Sequence, residues 1–127
     1  MSIISFEDFK KLDLRVGTIR VAERAPNSEK LLRLEVDFGL AEPRSCAEHD
    51  ATQTNAERNL KQIIAGIGRV YAPETLVGTQ CVFITNLEPR ILMSLESQGM
   101  LLAASDAEGN PVLLHPEKEI PPGSLVH

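Results

Sequence analysis

The spacing of apolar residues shortens near the start of this chain and then holds at two for most of its length. Ser5-Phe6-Glu7-Asp8-Phe9 sets two aromatics on one helical face behind a serine, with acidic residues in the first turn. This predicts a short N-terminal helix capped by Ser5. From Leu12 onward, Leu12, Leu14 and Val16 alternate with Asp13, Arg15 and Gly17, and Ile19 and Val21 with Arg20 and Ala22. Such alternation predicts a long half-buried strand, with Gly17 marking a bulge or bend. After a Pro26-Asn27-Ser28 turn, Leu32, Leu34, Val36 and Phe38 define a second strand that ends at Gly39. Residues 61–67, 80–85 and 100–104 supply strands three, four and five, and Pro73-Glu74-Thr75-Leu76 a helical turn opened by proline. Residues 40–60 carry no strand signal and read as a long loop excursion, with a helical turn around residues 56–60. Residues 106–110 turn into Pro111-Val112-Leu113-Leu114, and the tail holds one more short extended piece.

Five principal strands, bends at glycines and a short helix before the fourth predict an all-β, five-stranded closed barrel, of which the OB-fold is the leading example. Residues 1–127 form one domain in this reading: a barrel core over 12–104, interrupted by the 40–60 excursion, and a C-terminal extension over 105–127.

Composition adds constraints. The 127 residues include no Trp and five aromatics, so the core must be built from Leu, Ile and Val. No apolar run approaches the roughly 18 residues of a membrane helix, and the N-terminus lacks the form of a signal peptide. Cys46 and Cys81 make no disulfide framework and read as reduced thiols in a cytoplasmic protein. Net charge is −5, with ten Lys/Arg against eleven Asp/Glu in residues 1–64 and three against seven in residues 65–127. The chain has no long-range attraction for nucleic acid, so any RNA site must be a local basic patch.

The stretch from Asn86-Leu87-Glu88-Pro89-Arg90 to Ser97-Gln98-Gly99-Met100 joins polar groups to an apolar strand. It reads as a loop lip that presents a binding surface. Catalytic readings fail on their own terms. Gly66-Ile67-Gly68-Arg69-Val70-Tyr71 has Tyr where a dinucleotide loop needs its third glycine. Leu95-Glu96-Ser97-Gln98-Gly99 lacks the first glycine of a nucleophile elbow, and its nearest histidine in sequence is His115. Cys46-Ala47-Glu48-His49 lacks a second ligand pair for a metal. His115 and His127 read as surface residues. No catalytic residue, cofactor or metal is expected.

Five ordered blocks carry a resemblance. Asp13-Leu14-Arg15-Val16-Gly17-Thr18-Ile19, Pro26-Asn27-Ser28-Glu29-Lys30-Leu31 and Val36-Asp37-Phe38-Gly39 come first. Ile64-Ala65-Gly66-Ile67 with Tyr71-Ala72-Pro73-Glu74-Thr75-Leu76-Val77-Gly78 follows, and then the 86–101 stretch. Together these resemble the EMAP-like tRNA-binding domain family. The resemblance implies an OB-fold that binds tRNA by shape, without chemistry, with Lys30, Arg33, Asn86, Arg90, Ser97 and Met100 at the site. Arg90 would meet a phosphate, Asn86 a base edge or sugar, and Met100 a base face; Lys30 and Arg33 would add backbone contacts. Read without the resemblance, Asn86 and Ser97 fit the satisfaction of loop backbone and Met100 a core position. No synthetase sequence accompanies the blocks, so the chain resembles the free-standing members, which include the secretion-chaperone-like CsaA group. That implies a homodimer joined through residues 3–12 and 111–127, with precursor peptides as the alternative ligand and a synthetase as a further possible partner.

The chain departs from the family pattern at Glu88, Ile91 and Met93, where members carry basic residues, and at Ser94, where they carry glycine. Each lost phosphate contact removes roughly 0.9 units of salt slope on duplex nucleic acid. The electrostatic grip of this lip is therefore thinned. Ile91-Leu92-Met93 forms an apolar run beside it, suited to an extended peptide if it is not core.

Overall fold

In the computed structural model, which describes residues 2–40 and 58–127, the alternating segments form a strongly curled sheet. The helix α1 (Phe6–Lys10) precedes β1 (Leu14–Arg24), β2 (Leu32–Leu40) and β3 (Arg58–Ala65). A 3-10 turn (Pro73–Thr75) leads into β4 (Gln80–Ile84), then a small hairpin of β5 (Arg90–Leu92) and β6 (Leu95–Ser97). The chain ends with β7 (Met100–Leu101), β8 (Ala103–Ser105), β9 (Pro111–Leu113) and β10 (Leu125–Val126). The main sheet runs β3-β2-β1-β4-β7, with β10 added to β1. This is an OB-like barrel made from the five strands that the alternation predicts.

β1 is long enough to serve two neighbours, pairing β4 from Leu14 to Thr18 and β2 from Thr18 to Arg24. Its irregularity lies between Ile19 and Val21, not at the expected Gly17. The extra residue there turns Ala22, rather than Val21, against the core. Gly17 instead marks a close approach, since a Cβ there would collide with the side chains of Val36 and Phe38.

Ile19, Leu32, Leu34, Val36, Ile63, Cys81 and Phe83 are wholly buried. Phe38 meets Phe83 edge-on at 5.4 Å, which suits the aromatic quadrupole. Burial pushes the Cys81 thiol up to about 11; Cys46 lies outside the described residues. The excursion between β2 and β3 also lies largely outside them. The helical turn expected around residues 56–60 is strand where it is described, from Arg58, with Asp37 facing Leu60 and Leu40 facing Arg58.

The open side of the sheet is closed by the segment before β7. Gln98 N–H donates to Gln62 O at 2.8 Å, and Gln62 N–H donates to Gln98 Oε1 at 2.8 Å. Ile64 N–H donates to Ser97 Oγ at 3.0 Å. The predicted fifth strand is split: Met100–Leu101 pairs with β4, while Ala103–Ser105 pairs with β9 as a separate hairpin. The tail then returns to the barrel. Val16 N–H donates to Ser124 O, and Gly123 N–H to Val16 O. Gly123 has φ +90°, and a Cβ on it would strike Phe38 O, so only glycine fits there. No helix among the described residues is long and apolar enough to cross a membrane.

Candidate nucleic-acid interface

OB barrels hold oligonucleotides on the β2–β3 face and on the connections after the first and fourth strands. In this chain those connections are the β1–β2 turn and the segment from Thr85 to Gly99. The turn is stiff. Ala25 N–H donates to Leu31 O at 2.9 Å, and Ser28 Oγ accepts from Lys30 N–H and Leu31 N–H at 3.2 and 3.0 Å. Asn27 takes a left-handed conformation, φ 62°, which asparagine tolerates. Lys30 is left exposed on this turn.

Arg33 lies on the outer face of β2, opposite the buried Leu32 and Leu34. Its guanidinium is held by Glu23 at 2.6 Å, by Glu35 at 3.0 Å and by Gln62 Oε1 at 3.1 Å. The Glu23 hydrogen bond is strong enough to raise the Arg33 pKa against the opposing effect of burial. Two carboxylates therefore neutralise this cation.

Asn86 uses both ends of its amide on the protein backbone. Its Oδ1 accepts from Asp13 N–H at 2.9 Å, and its Nδ2 donates to Lys11 O at 2.6 Å. This ties the start of the lip to the junction of α1 and β1. Beside it, Thr85 Oγ1 donates to Asp13 Oδ2 at 2.5 Å, and Arg15 Nε lies 3.1 Å from Asp13 Oδ1. Burial works to raise the Asp13 carboxyl. The hydrogen bonds from Thr85 and Arg15, with the charges of Arg15 and Lys61, outweigh it and hold the carboxyl below its ordinary value.

Ser97 is buried, accepting from Ile64 N–H and donating to Gly99 O at 3.0 Å. Gly99 has no room for a side chain, since a Cβ would sit 2.8 Å from Ile84 O. Ser97-Gln98-Gly99 is thus the closing seam of the barrel. Its chemistry matches the backbone-satisfying role open to Ser97 from sequence.

Arg90 and Met100 flank that seam. Arg90 faces Ser97 in the β5–β6 pair, and Met100 faces Ile84 in the β4–β7 pair. Arg90 is exposed and makes no ion pair among the described residues. Met100 is partly exposed rather than core. Of the six residues picked from sequence, Arg90, Ser97 and Met100 come together, with Asn86 anchoring the same connection. Lys30 belongs to the other connection, and Arg33 to the outer sheet face between acids.

The hairpin itself was not expected. Met93 and Ser94 form a two-residue turn with φ 50° and 69°, as a type I′ hairpin requires. The turn exposes Ile91 by 68% and Met93 by 52%, with Glu88 and Glu96 also exposed. The apolar run is therefore surface. Sequence reading also passed over Gln62 and Gln98, which join β3 to the seam, and Arg24 and Arg69 beside Lys30. The Gly66-Ile67-Gly68-Arg69 run was the available signal for the last of these.

The family model described as "Putative tRNA binding domain" matches residues 49–125. The chain is similar to methionine–tRNA ligase of Methanococcoides burtonii, 43% identical over 125 residues, covering 98% of this chain and 16% of that one. The chain thus spans about one-sixth of the length of the curated relatives it matches. Among solved structures, a MetRS-related protein from Pyrococcus horikoshii superposes with a TM-score of 0.81 at 30% identity, each chain covered in full. The chaperone CsaA from Bacillus anthracis superposes with a TM-score of 0.77 at 33% identity, covering 99% of this chain and 100% of that one.

Proposed function

Because the chain belongs to the tRNA-binding domain family, we propose that it binds tRNA through an OB barrel and catalyses no reaction itself. The observation that carries this reading is the state of its cations. Lys30 and Arg90, on the two connections OB barrels use for oligonucleotides, are exposed and without ion-pair partners among the described residues. Arg33, by contrast, is neutralised by Glu23 and Glu35. In this reading Arg90 meets a phosphate and Met100 a base. Asn86 and Ser97 act as positioning residues that hold the lip in place. The ligand is tRNA in the cytoplasm, and a synthetase that lacks this module is a fitting partner.

The binding unit in this proposal is a homodimer. α1 has no buried residue, and Ile3, Phe6, Leu12 and Leu125 are exposed apolar groups at the two ends of the chain. Residues 3–12 and 111–127 supply the contact.

A gel-shift titration with bulk tRNA at two salt concentrations tests the function. A complex at low salt that weakens at high salt is the expected result; no complex at low salt from folded protein removes the reading. One observation favours a second ligand. Ile91 and Met93 are exposed beside Arg90, and this suits an extended precursor peptide. An unfolded precursor that displaces tRNA from the complex would support a shared lip.

A further inference from the structure

Gly66-Ile67-Gly68-Arg69 resembles the start of a phosphate loop but lacks that motif's third glycine. Its place in the fold gives it another use. Gly68 N–H donates to Lys30 O at 2.7 Å, and a Cβ on Gly68 would lie 2.5 Å from Glu29 O. The loop after β3 is thus pressed directly against the β1–β2 turn. Arg24 locks the two together: its Nη1 donates to Glu29 O at 3.0 Å and to Gly68 O at 2.9 Å. Lys30 crosses the bare backbone of Gly66, where an added Cβ would lie 3.2 Å from the lysine Cε. Three exposed cations, Arg24, Lys30 and Arg69, are collected at one end of the barrel.

Their charge environment differs from that of four other cations. Lys11 pairs with Asp8, Arg15 with Asp13, Arg20 with Asp37, and Arg33 with Glu23 and Glu35. Arg24, Lys30 and Arg69 make no ion pair among the described residues. Glu29 is the acid of the turn, and it too forms none. The Arg24 guanidinium is fixed by two carbonyls on Nη1, while its Nε and Nη2 edge has no partner among the described residues. That edge is the fork that binds a phosphate in bidentate fashion, and holding it in place lowers the entropy lost on binding.

We propose that this end of the barrel is a phosphate-contact site for the RNA backbone, formed by Arg24, Lys30 and Arg69, and resting on the tRNA reading above. Arg24 takes one phosphate through its free fork. Lys30 and Arg69 contact neighbouring phosphates as point charges. The site gives an acidic protein the local positive surface that its net charge of −5 does not supply.

Anisotropy titrations of labelled bulk tRNA against the full chain, over a salt series, test the site. The double variant Lys30→Gln/Arg69→Gln should bind about tenfold more weakly. Its slope of log affinity against log salt should be shallower by about 1.8, the sum expected for two lost contacts. Arg24→Lys keeps the charge and loses the fork, so affinity should fall several-fold with the slope nearly retained. Thermal melting of each variant monitors folding, and the double change at two exposed side chains decides the matter if Arg24→Lys does not fold. Folded variants with the parent's affinity and slope would overturn the site and leave tRNA binding intact. Failure of the parent itself to bind tRNA at low salt would remove both.

Discussion

Ser97 uses one hydroxyl for two backbone partners, Ile64 N–H and Gly99 O. The Ile64 amide is buried, so deleting the hydroxyl leaves a donor without an acceptor, a loss of about 1–3 kcal/mol. Ser97→Ala should therefore lower stability in urea unfolding by about that amount. tRNA affinity at a temperature where the variant is folded should hold to within a few-fold. A fully stable variant with no tRNA affinity would make Ser97 a direct contact and defeat the seam argument. The residue was legible in the sequence as part of a distinctive run; its partners were not. A serine hydroxyl between two strands looks the same as one on a ligand lip until the tertiary closure is known. Asn86 follows the same logic, since Lys11 and Asp13, its two backbone partners, are more than 70 residues away.

At the level of elements, long alternating segments were legible and short ones were not. Leu32, Leu34, Val36 and Phe38 are buried as their period of two requires. The β5–β6 hairpin escaped because each arm has three residues and its turn is Met93-Ser94, without the Asn-Gly or Asp-Gly that advertises a type I′ turn. The hairpin forms despite that chemistry, and strain at Met93 and Ser94 is the consequence. A left-handed conformation costs a non-glycine residue about 1–2 kcal/mol. Glycine relieves this but brings back about 0.5–1 kcal/mol of unfolded-chain entropy. Relief exceeds the entropic loss, so Ser94→Gly should stabilise the protein by about 0.5–1 kcal/mol. The readout is the urea midpoint at unchanged m-value. An unchanged or lower midpoint would mean that the turn carries no strain. The change keeps Ile91 and Met93 exposed, so it also separates hairpin stability from whatever the lip binds.

For the whole molecule, the tail and the N-terminal helix raise a question of burial. The tail is integral to the barrel: β10 pairs with β1, and Gly123 fits under the Phe38 carbonyl. α1 is different, being five residues long with no buried residue. It is held by the Ser5 cap, the Phe6–Phe9 stack at 6.3 Å and Lys10 over the Phe6 ring at 5.4 Å. Helices this short are not stable in water by themselves. Phe6 is 69% exposed and Ile3 94%, while Leu125 projects from a strand beside β1. A second copy of the chain laid over these groups would remove them from water, at roughly 25 cal/mol per Å² of apolar surface. Sedimentation equilibrium should then give a dimer at micromolar concentration. Phe6→Asp with Leu125→Asp should shift it toward monomer, because each buried carboxylate would be charged and without a partner. If the parent chain sediments as a monomer at tens of micromolar, the pairing through residues 3–12 and 111–127 is wrong. A dimer that survives both aspartates would place the contact elsewhere on the barrel. If the dimer forms as proposed, each pair of chains carries two copies of the Lys30 and Arg90 connections. The aspartate variant should then also lose the avidity of two-site tRNA binding, while each barrel keeps its single-site affinity.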